Sequence, residues 1–153
     1  VEQLGGKGKV VELEGIPGAS AARDRGEGFN SAIAGSGLEV VAKQTANFDR
    51  AQGLSVMENI LQAQPEINAV FAHNDEMALG ALEAIKASGR DILVVGFDAT
   101  DDAVKAVKAG EMAATVQQLP KEIGGQGVDT AMKVIAGETV DAYIPVELAL
   151  VTK

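Results

Sequence analysis

The stretch AVFAHNDEMALGALEAIKASGRDILVVGF, residues 69–97, contains the repeating unit that decides the fold. It begins with a short apolar run of strand length, Ala69 to Ala72, and ends with a β-branched run, Ile92 to Phe97. Between them, Glu76 to Ser88 carries apolar residues at helical spacing, and Gly89 follows as the glycine that commonly ends a helix. Two apolar strands joined by a helix predict a pair of parallel strands.

The same alternation extends in both directions from this unit. Further strands are predicted at Lys9 to Glu14, Glu39 to Lys43 and Ala113 to Gln117, and further helices at Ser20 to Ala34, Arg50 to Gln64, Asp101 to Ala109 and Glu122 to Ala136. Because these strands are too apolar for one exposed face, the pattern predicts an α/β fold with a doubly wound parallel sheet. Two short β-like runs around Pro145 lie outside the alternation and are expected to add edge strands or to cross to another body. The opening residues VEQLGGKG are typical of the end of a helix and its glycine turn.

Composition narrows the functional classes. A chain of 153 residues with 46% hydrophobic residues fits one globular domain. The 22 acidic residues against 13 basic ones give a charge of -9, so we expect no nucleic-acid partner. The chain has no cysteine, which excludes disulfides, thiolate nucleophiles and cysteine metal sites. We also expect neither a membrane span nor a signal peptide, since no apolar run approaches about 18 residues and the opening residues lack the order of a leader.

The loops after the strands hold the candidate ligand site, because open parallel sheets bind ligands outside the carboxyl ends of their strands. Every one of these loops carries polar side chains that can exchange hydrogen bonds with hydroxyl groups. Two of the four phenylalanines, Phe48 and Phe97, also fall there. Planar polar groups beside aromatic rings suit a sugar, which has hydroxyls around apolar C–H faces.

Five ordered blocks carry a family resemblance. They are EGIPGASAARDRGEGF (residues 14–29), ANFDRAQGLSVMENIL (46–61), AVFAHNDEMALGALEAI (69–85), VVGFDATDDAVKAV (94–107) and AATVQQLPKEIG (113–124). Together they resemble the second half of the periplasmic D-ribose-binding proteins, sugar receptors that serve an ABC transporter and chemotaxis. The resemblance implies the flavodoxin-like half of a type I periplasmic binding protein, in which two lobes close over the sugar. It departs at His73, where a well-known member of the family has Gln.

The resemblance implies a set of ligand-binding residues and no catalytic residue, metal or cofactor. Asp98 and Arg25 would form charge-assisted bonds to sugar hydroxyls, and the remaining members would supply amides and aromatic rings: Phe48, Asn74, Phe97 and Gln118. It further implies a periplasmic location, with a membrane permease and a chemoreceptor as partners of the full-length protein.

The resemblance also implies a division of the chain. Residues 1–118 and 148–153 would form the second sugar-binding lobe, and residues 119–147 a crossover helix and strand that normally pack with a first lobe. Here we expect those segments either to pack back as a fifth helix of this lobe or to pair with a second copy. With no first lobe, we expect weak sugar binding.

Simpler interpretations stand beside these. Asp98 could be an ordinary surface carboxylate, Asp75 is expected to cap the third helix, and Phe29 and Phe71 are expected in the core. His73 alone does not make a metal site.

The alternatives for function are a truncated or engineered α/β folding domain without a ligand, and the effector lobe of a sugar-responsive repressor. The repressor would need a basic helix-turn-helix, which the sequence does not contain. A phosphoreceiver domain would need an acidic cluster and a Lys after its strands, and a nucleotide-binding enzyme would need a Gly-rich turn after the first strand. The sequence does not have these residues at the required positions.

Overall fold

A six-stranded sheet forms the centre of the molecule, which a computed structural model describes over all 153 residues. The strands are β1 (Lys7–Glu14), β2 (Gly37–Thr45), β3 (Ala69–Ala72), β4 (Leu93–Asp98), β5 (Ala114–Gln117) and β6 (Ala149–Val151). They lie in the order β2-β1-β3-β4-β5-β6. The first five are parallel and β6 is antiparallel to β5. The predicted doubly wound parallel sheet is therefore confirmed.

Five helices alternate with the strands, as the apolar spacing predicts. They are α1 (Ser20–Ile33), α2 (Arg50–Ala63), α3 (Asp75–Ser88), α4 (Asp101–Ala109) and α5 (Pro120–Ile135). Polar caps begin three of them, since side chains of Asp49, Asn74 and Thr100 accept backbone N–H groups of the first turn. Asn74, and not Asp75 as predicted, is thus the cap of α3. No helix combines the length and the apolar character needed to cross a membrane.

The apolar core lies between one face of the sheet and helices α2, α3 and α4. Alternate residues of the central strands point into it, for example Val11 and Leu13 of β1 and Val70 of β3. Helices α2 and α3 approach so closely that a Cβ atom at Gly80 would lie 2.1 Å from the carbonyl oxygen of Arg50. The closest helix contact in the fold therefore depends on glycine.

Helix α1 covers part of the opposite face, which is more polar and more exposed. Phe29 of α1 stacks on Phe71 of β3 with ring centroids 4.8 Å apart, and His73 follows on the same side of the strand. Both phenylalanines are only half-buried, so their predicted place in the core is wrong. The reason is that little besides α1 shields this face from solvent.

Residues 119–153, the end of the chain, add little to the core. None of the residues of α5 is buried, and its apolar side chains Val128, Met132 and Ile135 are more than half exposed. The expectation that this helix packs back onto the lobe is therefore wrong. Of the two predicted β-like runs in the tail, only the second forms a strand, β6. The assignment of residues 119–147 to a separate lobe stays a prediction.

Candidate functional site

The six predicted ligand residues form one connected cluster at the carboxyl ends of the strands. Asp98 ends β4, and its Oδ1 accepts hydrogen bonds from Nη2 of Arg25 at 3.2 Å and from Nε2 of Gln118 at 2.6 Å. The guanidinium carbon of Arg25 lies 3.9 Å from the ring centroid of Phe97 and 5.8 Å from that of Phe48. Asn74 joins the cluster by donating to the carbonyl oxygen of Phe48 at 3.1 Å.

Asp98 is the centre of this cluster electrostatically. Burial raises the pKa of its carboxyl above the ordinary value, and the charge of Arg25 and the bond from Gln118 offset only part of that rise. Both of its protein partners contact Oδ1, whereas Oδ2 accepts no hydrogen bond from the chain. The carboxylate is thus held in place through one of its two oxygens.

Arg25 is fixed from three directions. Besides its bond to Asp98, it donates from Nη1 to the carbonyl oxygen of His73 at 2.5 Å and lies over the ring of Phe97. Its side chain is 13% exposed, so the charge is partly desolvated. A guanidinium held this way has N–H groups left to donate in fixed directions.

Two loops of the site have an uncommon backbone. All four non-glycine residues of the chain with positive φ lie in them, as two consecutive pairs: Asn47 (53°) with Phe48 (61°), and Asp98 (122°) with Ala99 (55°). Such conformations cost about 1–3 kcal/mol each and cluster at ligand sites. Gly15 makes room for the first loop, because a Cβ atom there would lie 2.0 Å from Cζ of Phe48.

Asn74 has a structural role that its sequence position did not indicate. Its Oδ1 accepts the backbone N–H of Met77 at 3.0 Å, which caps α3, while its Nδ2 holds Phe48. With 7% of its surface exposed, it has little area left for contact with a ligand. Its predicted sugar contact stays a prediction.

Asp75 supports the Asp98 loop from below. It is fully buried, and it accepts hydrogen bonds from the N–H of Thr100 at 2.8 Å and the hydroxyl of Thr115 at 2.7 Å. Thr115 in turn accepts from the N–H of Ala99 at 3.2 Å. Burial raises the pKa of Asp75, and these hydrogen bonds oppose the rise. The sequence analysis did not predict this network. The signal for it was Thr115, a polar residue within an apolar strand.

A second buried polar group, also missed, lies behind Arg25. Glu12 and His73 are both fully buried and lie 3.0 Å apart between Oε1 and Nε2. Although burial alone raises the pKa of Glu12, hydrogen bonds from His73 and Asn30 together with the charge of Lys43 outweigh it and lower the pKa. A glutamate in the middle of the apolar run of β1 was the signal.

Two grooves differ in their relation to the candidate residues. One of about 720 Å³ is lined by Arg25, Phe97 and Gln118, together with apolar side chains that include Tyr143. A larger groove of about 890 Å³ lies at the amino ends of the strands, among polar residues such as Lys7 and Asp91, and contains none of the six. The chemistry suited to a sugar is therefore at the carboxyl ends.

Comparisons with known proteins agree with this arrangement. A family model described as a periplasmic binding protein domain matches residues 1–139. Ribose import binding proteins from Haemophilus influenzae and Bacillus subtilis are 55% and 54% identical to the chain over 99% of its length, which is 52% and 50% of theirs. A periplasmic solute binding protein of an ABC transporter from Actinobacillus succinogenes, solved with bound D-allose, superposes with a TM-score of 0.93 at 38% identity and covers 99% of this chain and 54% of that one. The chain spans about half the length of the curated relatives it matches, and it belongs to the periplasmic binding protein family.

Proposed function

We propose that this chain is a non-catalytic sugar-binding lobe that takes D-ribose or a related monosaccharide at the carboxyl ends of its strands. The observation that carries the proposal is the cluster of Asp98, Arg25 and Gln118 beside the ring of Phe97. It combines an acceptor and donors that are hydrogen-bonded to one another with an aromatic ring that contacts the guanidinium.

The cluster suits two neighbouring hydroxyls of a sugar. Oδ2 of Asp98 would accept from one hydroxyl, and a free N–H of Arg25 would donate to the next. Hydrogen bonds to charged groups contribute about 1.5–3 kcal/mol each, roughly twice a neutral bond. The ring of Phe97, and that of Phe48 further out, would contact the apolar C–H surface of the sugar.

D-Ribose is favoured because the relatives with more than half of their aligned residues identical are named as ribose import binding proteins. The D-allose-binding protein of Escherichia coli is 36% identical over the whole chain. Both sugars present rings of hydroxyls, so the same cluster serves either one. Ribose is the first ligand to test.

The six residues contact a sugar from one side. In a receptor of two lobes, a second lobe would supply contacts from the other side, and a ligand that binds the closed state better would drive closure. Within this proposal, residues 1–118 and 148–153 form the binding lobe and residues 119–147 cross to the other lobe. The exposed apolar side chains of α5 support that division. The full-length protein would act in the periplasm and present its closed form to a membrane permease and a chemoreceptor.

Titrations with a panel of sugars test the specificity. D-Ribose, D-allose, D-galactose and L-arabinose are added separately to the isotope-labelled chain while its amide NMR signals are recorded. We expect D-ribose to shift signals of the five strand-end loops at the lowest concentration, because the relatives most similar to this chain among those compared are named as ribose import binding proteins. Equal responses to all four sugars would contradict ribose preference, and no response to any of them would contradict sugar binding.

A further inference from the structure

We propose that Glu12 and His73 form a positioning pair, which sets the place of Arg25 without contacting the sugar. The inference rests on the proposed function, since it concerns the residue that would donate to the sugar hydroxyls. It names two residues that neither the strand-end loops nor the family comparison identified.

The pair has a defined hydrogen-bond arrangement. The backbone N–H of Gly15 donates to Nδ1 of His73 at 3.3 Å, so the proton of the neutral imidazole is on Nε2. That N–H donates to Oε1 of Glu12 at 3.0 Å. The ring therefore ties strand β1 and the loop after it to the end of strand β3.

Two contacts connect this pair to Arg25. The carbonyl oxygen of His73 accepts a hydrogen bond from Nη1 of Arg25. The next residue, Gly26, lies directly on the pair, because a Cβ atom there would be 3.0 Å from Oε1 of Glu12 and 3.2 Å from Cε1 of His73. Both the side chain of Arg25 and the backbone beside it are thus placed by the same two residues.

Helix α1 has few other anchors on the sheet. Its only buried residues are Ala22 and Gly26, which offer little apolar surface. One turn beyond Gly26, Asn30 donates to Oε2 of Glu12 at 3.1 Å and to the carbonyl oxygen of Gly26 at 2.8 Å. Besides the stacking of Phe29 on Phe71, the hydrogen bond from Asn30 to Glu12 therefore helps to set where the helix lies along the sheet.

The charge on Glu12 is balanced from strand β2. Nζ of Lys43 lies 3.3 Å from Oε2 of Glu12 and 3.0 Å from Oε1 of Glu14. A buried carboxylate costs free energy unless it is paired and hydrogen-bonded, and Glu12 has partners on both oxygens. The pair is therefore a completed network that holds one geometry.

The test compares three variants of the chain. His73→Leu has a similar volume but removes the two hydrogen bonds of the imidazole, those with Gly15 and Glu12. His73→Gln keeps one donor and one acceptor. Ser31→Ala, in helix α1, changes an exposed side chain and leaves the pair intact. Two quantities are measured on each: the guanidinium NMR signal of Arg25 without sugar, and the affinity for D-ribose by NMR titration.

We expect His73→Leu to move the Arg25 signal toward that of exposed Arg23 and to lower ribose affinity about tenfold, the loss of one net hydrogen bond. His73→Gln should keep both quantities close to those of the original chain, and Ser31→Ala should change neither. An Arg25 signal that is unchanged in His73→Leu, or equally perturbed in His73→Gln, overturns the proposal.

Two outcomes are separated in advance. If the unmodified chain binds no ribose, the proposed function fails, and the Arg25 signal alone still decides the positioning role. If His73→Leu does not fold, Glu12→Gln takes its place. The glutamine has nearly the same shape as the glutamate, but its N–H₂ group would face the N–H₂ group of Asn30 and the hydrogen bond between them would be lost. A shifted Arg25 signal in Glu12→Gln then supports the proposal and an unchanged one overturns it.

Discussion

Asp98 combines burial, a paired cation and a strained backbone in one residue. Its backbone has a φ of 122°, and the next two residues are held by hydrogen bonds that the N–H groups of Ala99 and Thr100 donate to Thr115 and Asp75. Strain of this kind persists only where surrounding contacts fix it. The residue is therefore the most direct point at which to test the site.

Replacing Asp98 by Asn should weaken ribose binding about tenfold to a hundredfold. The amide is neutral, and a hydrogen bond to a charged group contributes about 1.5–3 kcal/mol. The dissociation constant from an NMR titration gives the comparison. Asp101→Asn is the matched control, because Asp101 is an exposed carboxylate three residues away, and it should bind as the original chain does. Equal affinities for all three proteins would exclude Asp98 from the site.

Ribose affinity should fall in acid at a higher pH than for an ordinary aspartate. Burial raises the pKa of Asp98 above 3.8, and only the ionised form offers Oδ2 to a sugar hydroxyl as a charged acceptor. Below the raised pKa the affinity should therefore decrease, approaching about tenfold per pH unit. Titrations at a series of pH values measure this. Asp98→Asn should lack the decrease, and a profile that is flat in the original chain would contradict the assignment.

At the residue scale, the family resemblance gave six candidate ligand residues, which the structure places in one cluster, but it did not give the residues that support them. The resemblance paired Arg25 with Asp98, and the two side chains form a hydrogen bond. The double role of Asn74 and the buried places of Asp75 and Glu12 could not be predicted. Burial of a polar side chain depends on which elements pack over it, and that information lies outside the local sequence.

At the scale of elements, the contact between α2 and α3 depends on glycine. Gly80→Ala should lower the free energy of unfolding by at least about 1–3 kcal/mol, because the new Cβ would overlap the backbone of Arg50. Gly28→Ala is the control, since Gly28 is in α1 and a Cβ there meets open space. It should raise stability by up to about 1 kcal/mol. Urea unfolding measures both, and similar stabilities for the two variants would contradict the close packing.

Glu12 of the sheet, which accepts a hydrogen bond from Asn30 of α1, should make the free energy of unfolding depend on pH. Its pKa is lowered in the fold, so its contribution is complete above the unfolded value of 4.5 and is lost as pH falls through the lower folded value. The difference in free energy of unfolding between the original chain and Glu12→Gln should thus be largest near about pH 7 and shrink as the pH falls below 4.5.

Asp75 and Asp98 do not disturb this comparison. Their raised pKa values act with the opposite sign, because each ionised carboxylate costs stability above its folded pKa. Both groups are present in the two proteins, so their contributions cancel in the difference. Urea unfolding across this pH range makes the measurement, and a difference independent of pH would contradict an ionised Glu12.

The helices and strands were predictable because apolar periodicity follows directly from which faces are buried. The predicted and observed bounds of α4 are identical, and those of the remaining helices differ by no more than two residues. The tail was not predictable in the same way. Its two β-like runs had similar composition, and only the second, β6, met an open edge at β5.

At the scale of the whole molecule, this chain has the candidate ligand cluster at one edge of the sheet and, in α5, a helix whose apolar side chains stay exposed. The periodicity of α5 predicted its apolar side but not what would lie against it. Exposed Met132, Ile135 and Tyr143 agree with a segment that belongs to a larger receptor. The cluster at Asp98 is complete without α5, so sugar contacts should form in the chain alone, though from one side.

The most direct measurement is the map of amide NMR shifts when D-ribose is added to the 153-residue chain. We predict shifts at Arg25, Phe48, Asn74, Phe97, Asp98 and Gln118 and their neighbours, with a dissociation constant of about 1 mM or weaker because one side of the sugar stays in water. The absence of shifts at these residues at about 100 mM ribose, or shifts only at the groove around Lys7 and Asp91, would contradict the account.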